Sequence, residues 1–285
     1  MIRTVVAALP LPYPFETADA QRALVACLAV GVFAPAIGAF LVQKRLSLVG
    51  DGVAHVAFAG VGAGLLLGVW PVWTALVFAV LGAIGVEVLR LTRKAAGDLA
   101  LALFFYVGIA LGAVFASRAG DVELETLSYL FGDPYSVTWT GVWTVLALGA
   151  VVLVALALAG RALFAVVTDE DWSRVAGLPV GPLSVALAAL TAGVIVTGMR
   201  VVGVLLIAAM TVLPVASAQL LARSFRGTLR IAIAIGGLAS FVGLTIARPL
   251  DLAPGGAIVF VAAALFATVA LVKRTAPRAL QQEVH

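Results

Sequence analysis

Nine stretches of this chain are mostly apolar over close to the length that an α-helix needs to cross a bilayer, about 20 residues. They cover residues 22–42, 48–68, 72–91, 99–117, 138–159, 182–197, 201–222, 229–247 and 254–272. Hydrophobic residues make up 63% of the chain and charged residues only 11%, against about 45–50% and about 25% in soluble domains. A soluble fold of this size could not hide that much apolar surface. The expected fold is therefore an all-α polytopic membrane protein with eight or nine transmembrane helices. The count turns on residues 182–222, where Gly198-Met199-Arg200 is either a full turn or a break within one folded-back unit.

The turns between the runs orient the chain. Alternating them from an outside N-terminus places Lys44, Arg45, Arg90, Arg93, Lys94, Arg161, Arg174, Arg223, Arg226, Arg230, Lys273, Arg274 and Arg278 on one side. Arg3, Arg22, Arg118, Arg200 and Arg248 fall on the other, so 13 of the 18 basic residues share a side. The positive-inside rule makes that side cytoplasmic and puts the C-terminus there. The chain reads as one transmembrane domain over residues 1–285. Residues 1–21 form a Pro-containing lead-in without the layout of a cleaved signal peptide, and residues 273–285 a cytoplasmic tail. Two turns are longer than the rest, 118–137 outside and 162–181 inside.

Four constellations stand out. In Gly50-Asp51-Gly52-Val53-Ala54-His55, Asp51 and His55 are spaced i, i+4 and share a helix face. Counted from Arg45, His55 lies about 15 Å along the helix, near mid-bilayer, where an ionisable group is read as functional by default. A carboxylate and an imidazole suit a divalent transition metal. The bland alternative has Asp51 capping the helix start and His55 bonding a carbonyl. Gly60, Gly64 and Gly68 follow at four-residue spacing and form a smooth stripe for close helix packing. In residues 168–179, Thr168 is placed to cap a short cytoplasmic helix bearing Asp169, Glu170, Asp171, Trp172 and Arg174. Gly177 is placed to end it, with Pro179 beyond. Finally, Pro214 closes the apolar run 201–214 and can kink its helix. Met210 within that run reads as core filler.

Other residues narrow the function. No lysine sits in a phosphate-binding Gly-x-x-x-x-Gly-Lys loop, so ATP hydrolysis is not expected of this chain. The basic residues lie in turns without interleaved aromatics, so nucleic acid is not an expected partner. Cys27 lies in an apolar run and reads as buried filler. Glu87 is placed to pair with Arg90.

Three stretches resemble the zinc/manganese/iron family of ABC importer permeases: LSLVGDGVAHVAFAGVGAG at 46–64, TDEDWSRVAGLP at 168–179 and VVGVLLIAAMTVLPVASAQ at 201–219. Leu127-Ser128-Tyr129-Leu130-Phe131-Gly132 is a weaker fourth. The resemblance implies a type II ABC importer-like permease in the bacterial plasma membrane. It implies a homodimer that binds cytoplasmic ATPase subunits and receives its ion from an extracytoplasmic metal-binding protein. Zn2+, Mn2+ or Fe2+ would then be cargo, with no permanently bound cofactor. Asp51 and His55 would lie on the ion path, and residues 169–177 would dock the ATPase. Arg118 and Arg200 are candidates for docking the binding protein. The alternatives are a permease for a metal chelate such as a siderophore or cobalamin, and a polytopic membrane enzyme.

Overall fold

In hydrocarbon every backbone N–H and C=O needs a partner within the chain, and coiling each apolar run into α-helix meets that demand locally. The computed structural model describes residues 13–91, 97–120 and 123–275. Among these, nine helices are long and apolar enough to cross a membrane. They are α1 (Ala18–Gln43), α2 (Val49–Leu67), α3 (Pro71–Leu91), α4 (Gly97–Arg118), α6 (Trp139–Thr168), α8 (Val180–Met199), α9 (Val204–Leu221), α10 (Phe225–Ala247) and α11 (Pro254–Thr275). Two short helices join them, α5 (Glu123–Phe131) and α7 (Glu170–Val175).

The region that left the count open resolves into two spans. The chain reverses over residues 200–203, and Gly203 takes φ 101° at the turn. The two long turns differ from expectation. Residues 118–137 hold α5 and a 3-10 turn at Pro134–Ser136, and Tyr129 of α5 is buried against the bundle. α6 continues through Arg161 to Thr168, 30 residues in all. That is about 45 Å of helix against a hydrocarbon core of about 30 Å. An apolarity count stops at Arg161, but arginine is a good helix former and the hydrogen-bond ladder runs on past it. Thr168 is therefore not the cap of the next helix. Its hydroxyl donates to the Phe164 carbonyl at 2.8 Å, and Asp169 caps α7 by accepting from the Trp172 amide at 2.9 Å. At the chain ends, the lead-in gives way to α1 at Ala18 behind its Thr17 cap, residues 1–12 lie outside the described residues, and so do residues 276–285 of the tail.

α2 sits at the centre. Of its apolar stretch 78% is buried, against 17% for α4, which packs on its flank. α3 packs on α2 beside α4 and touches α4 as well, and α8 and α9 also meet α2. α1 packs against α6, α9 and α10, while α11 leans on α9 and α10.

The glycine stripe explains part of α2's position. A Cβ on Gly60 would come within 2.6 Å of the Ala75 Cα, and one on Gly64 within 2.8 Å of the Pro71 Cα. These two glycines let α3 lie against α2. Gly68 does not belong to the stripe: no atom lies within 4 Å of its hypothetical Cβ. It is the C-cap of α2 at φ 64°, the left-handed conformation that only glycine adopts without cost. A second pair, Gly108 and Gly112 on α4, was not singled out from the sequence. A Cβ on Gly108 would meet the backbone of His55 at 2.7 Å, so α4 approaches α2 at the level of the histidine.

Two substitutions separate these roles. Gly64→Leu overpacks the α2–α3 contact and is expected to cost about 1–3 kcal/mol. Gly68→Ala costs about 1–2 kcal/mol through backbone strain alone. Denaturation midpoints in detergent check both, and the helix contact between α2 and α3 should loosen only in the first.

Candidate metal path and coupling segment

Asp51 stands in the first turn of α2, whose positive end favours a carboxylate. It is half-buried and opens onto a groove of about 230 Å3 between α2 and α4, lined by Leu48, Leu101, Ala102, Phe105 and Tyr106. Its carboxylate forms no ion pair or hydrogen bond with a described residue. One turn further along, His55 is buried, and the Phe105 ring lies edge-on to it with centroids 4.4 Å apart. The two expected site residues thus share a face of the central helix. Asp51 faces open space, whereas His55 lies behind Phe105, an aromatic the sequence did not mark. Among the described residues no three His, Cys, Asp or Glu side chains gather as a metal site. A single chain supplies two candidate ligands here among the described residues.

The second site is a set of charges at the end of the bundle where α7 lies. Glu87 on α3 accepts from Arg90 through both carboxylate oxygens, at 2.7 and 3.0 Å. That pairing is the one the sequence led us to expect. Two further partners were not legible. Lys44, at the C-cap of α1, reaches Glu87 at 3.1 Å and the Ser184 hydroxyl of α8 at 2.9 Å. Glu170 of α7 joins Arg90 at 2.6 Å and Lys44 at 3.3 Å. The Lys44 and Glu87 side chains are only 5% and 6% exposed, so the cluster is largely withdrawn from solvent. Two cations face two carboxylates, which offsets the desolvation that an unpaired buried charge would suffer.

The cluster divides the residues of 169–177. Glu170 turns inward and is spoken for. Asp171 pairs with Arg174 at 3.2 Å on the outer face, Trp172 is 62% exposed and Val175 is 89% exposed. Asp169 caps the helix, and Gly177 ends the turn at φ 80°. An exposed Trp–Val pair on a charged six-residue helix is suited to docking another protein. At the opposite end of the bundle, Arg200 stacks over the Tyr129 ring at 5.6 Å, while Arg118 is exposed.

Burial alone would raise the Glu170 carboxyl, but the hydrogen bond from Arg90 and the charges of Lys44 and Arg90 hold it below its ordinary value of 4.5. A depressed carboxyl contributes stability above its unfolded-state value and loses it as pH falls through the folded one. The stability difference between the wild type and Glu170→Gln is therefore expected to stay flat from pH 8 to pH 5 and to close only below about pH 4.5. Thermal midpoints of the two proteins across that range check it.

Comparison with known proteins follows the same lines. Residues 17–273 match the ABC 3 transport family. The manganese import system permease protein ScaB of Streptococcus parasanguinis is 31% identical over 246 residues, which cover 86% of this chain and 88% of that one. The chelated iron transport system membrane protein YfeD of Yersinia pestis is 31% identical over 263 residues, 92% of this chain and 86% of that one. Among solved structures, PsaBC from Streptococcus pneumoniae, in complex with Fab, superposes with a TM-score of 0.83 at 28% identity and covers 99% of this chain.

Proposed function

The chain belongs to the ABC 3 transport family, and we propose that it is the membrane-spanning permease through which a divalent transition-metal ion enters the cytoplasm, driven by ATP hydrolysis on a partner subunit. Its relatives are named for manganese and for chelated iron, and these two metals are the first cargoes to test, with zinc third. The excess of basic residues at one set of helix ends supports a cytoplasmic C-terminus. An extracytoplasmic metal-binding protein would deliver the ion at the opposite end.

One observation carries the reading. Asp51 and His55 stand one turn apart on the most buried helix, and the carboxylate opens onto the groove beside α4. Two ligands are too few for a zinc- or manganese-type site. A second copy meeting the first across this groove would bring two carboxylates and two imidazoles together, enough for a transient four-ligand site. Conduction requires that such a site release its ion as well as hold it. On this reading the protein works as a homodimer and the metal is its cargo.

The charge cluster supports a route for the driving force. The outward face of α7, with Trp172, Asp171 and Arg174, would seat the ATPase. Glu170 ties that segment to Lys44 and Arg90. Lys44 begins the turn that leads within seven residues to Asp51. Movement of the docked ATPase would then pull on the start of α2 itself.

Uptake of labelled manganese, iron and zinc into proteoliposomes holding the permease and its ATPase tests both parts. Asp51→Ala and His55→Ala are each expected to lower uptake at least about tenfold while the ATPase still co-purifies. Wild-type uptake in both variants would overturn the ion path. Glu170→Gln is expected to let ATP hydrolysis continue while metal moved per ATP falls. An unchanged ratio would remove the coupling role.

A further inference from the structure

At the same end of the bundle as the charge cluster, α1, α6 and α10 enclose a groove of about 550 Å3. Its floor is apolar and aromatic. Phe225 packs edge-on to Phe40 at 5.0 Å between ring centroids and against Phe164 at 4.6 Å, and Leu229 completes the floor. Arg161 and Arg226 line it as its charged members, and no carboxylate does. Both arginines are exposed, and neither forms an ion pair with a described residue.

Three arginines of the opposite end behave differently. Arg22 pairs with Asp19, Arg200 covers the Tyr129 ring, and Arg248 donates to the Pro14 carbonyl at 2.6 Å. Arg118 at that end stands exposed, away from this groove, but for the other three the protein supplies the partner. Beside the groove it supplies none, although guanidinium groups bind phosphate through paired hydrogen bonds wherever one is in reach.

Depth supports the same conclusion. Arg161 lies seven residues before the end of α6, about 10 Å along the helix axis. Arg226 is in the first turn of α10, next to its Ser224 cap. Both guanidiniums thus stand near the level where hydrocarbon gives way to headgroups, above an apolar slot wide enough for acyl chains.

We propose that this groove binds an anionic glycerophospholipid, with Arg161 and Arg226 holding its phosphate and the ring of Phe40, Phe164 and Phe225 receiving its acyl chains. Basic pockets between transmembrane helices are suited to such headgroups. A bound lipid would brace α6 and α10 against α1, the helix that ends in Lys44. The proposal does not depend on which metal is carried or on whether Asp51 and His55 hold it.

Native mass spectrometry of the full-length chain in detergent, with phosphatidylglycerol or phosphatidylcholine of identical acyl chains added, tests it. Phosphatidylglycerol should be retained preferentially. An arginine near an anionic headgroup is worth about fivefold in affinity, so Arg161→Gln with Arg226→Gln should weaken retention about twenty- to thirtyfold. Arg161→Lys with Arg226→Lys keeps the charge and should keep most of the preference, which separates loss of the site from misfolding. Arg118→Gln, at the other end, should leave lipid retention unchanged. Three results would overturn the proposal: equal retention of the two lipids, undiminished phosphatidylglycerol binding by the double glutamine variant, or displacement of bound lipid by glycerol phosphate alone. Displacement on adding the ATPase subunit would likewise overturn it, because the groove would then belong to that partner.

Discussion

A charge in hydrocarbon is costly unless it is paired, and that constraint decides where this protein keeps its ionisable groups. Glu87 lies inside a spanning helix and is tolerated because Arg90 and Lys44 both reach it. Asp51 also lies inside a spanning helix, yet its carboxylate opens onto a groove and pairs with no described cation. The contrast separates two kinds of buried acid. One is neutralised by the fold and serves structure. The other has no described counter-charge, as the proposed ion path requires.

The same constraint gives the short helix α7 its two faces. Its inward acid, Glu170, completes a neutral cluster drawn from α1, α3 and α7, with Ser184 of α8 as a further partner. Its outward residues, Trp172 and Val175, remain exposed. A six-residue helix cannot hold itself together in water by propensity alone. Its position comes from the cluster, and through Lys44 the cluster touches the turn that opens α2. Helix packing adds the other half of the geometry. Gly60 and Gly64 bring α3 onto α2, and Gly108 brings α4 onto it at the level of His55.

Much of this was legible along the chain because it is local. A run of apolar residues becomes a helix in lipid whatever its neighbours are, and an i, i+4 pair shares a face on any helix. A bundle of eight or nine spans, the Asp51–His55 face and the pairing of Glu87 with Arg90 follow from such rules. The errors were local rules stretched too far. Gly68 continued a four-residue spacing but caps the helix, because α2 ends there. Thr168 had the chemistry of a cap but remained in α6, because nothing broke the ladder ahead of it. Residues 118–137 read only as a longer outside turn, since α5 is short and its character depends on burying Tyr129.

By itself, then, the sequence determined a bundle of eight or nine spans, the polar face of the second one and the existence of a charged connector, since each depends on residues within a turn or two of one another, while the structure separated residues 182–222 into two spans. Only the tertiary structure decided that α2 is central, that Phe105 shields His55, and that Glu170 faces inward. It also brought Lys44 to partners 43 and 140 residues away and Arg90 to one 80 residues away. Contacts of that range depend on how helices pack in three dimensions. Periodicity carries no information about them, because it says which side of a helix is polar and not what that side will meet.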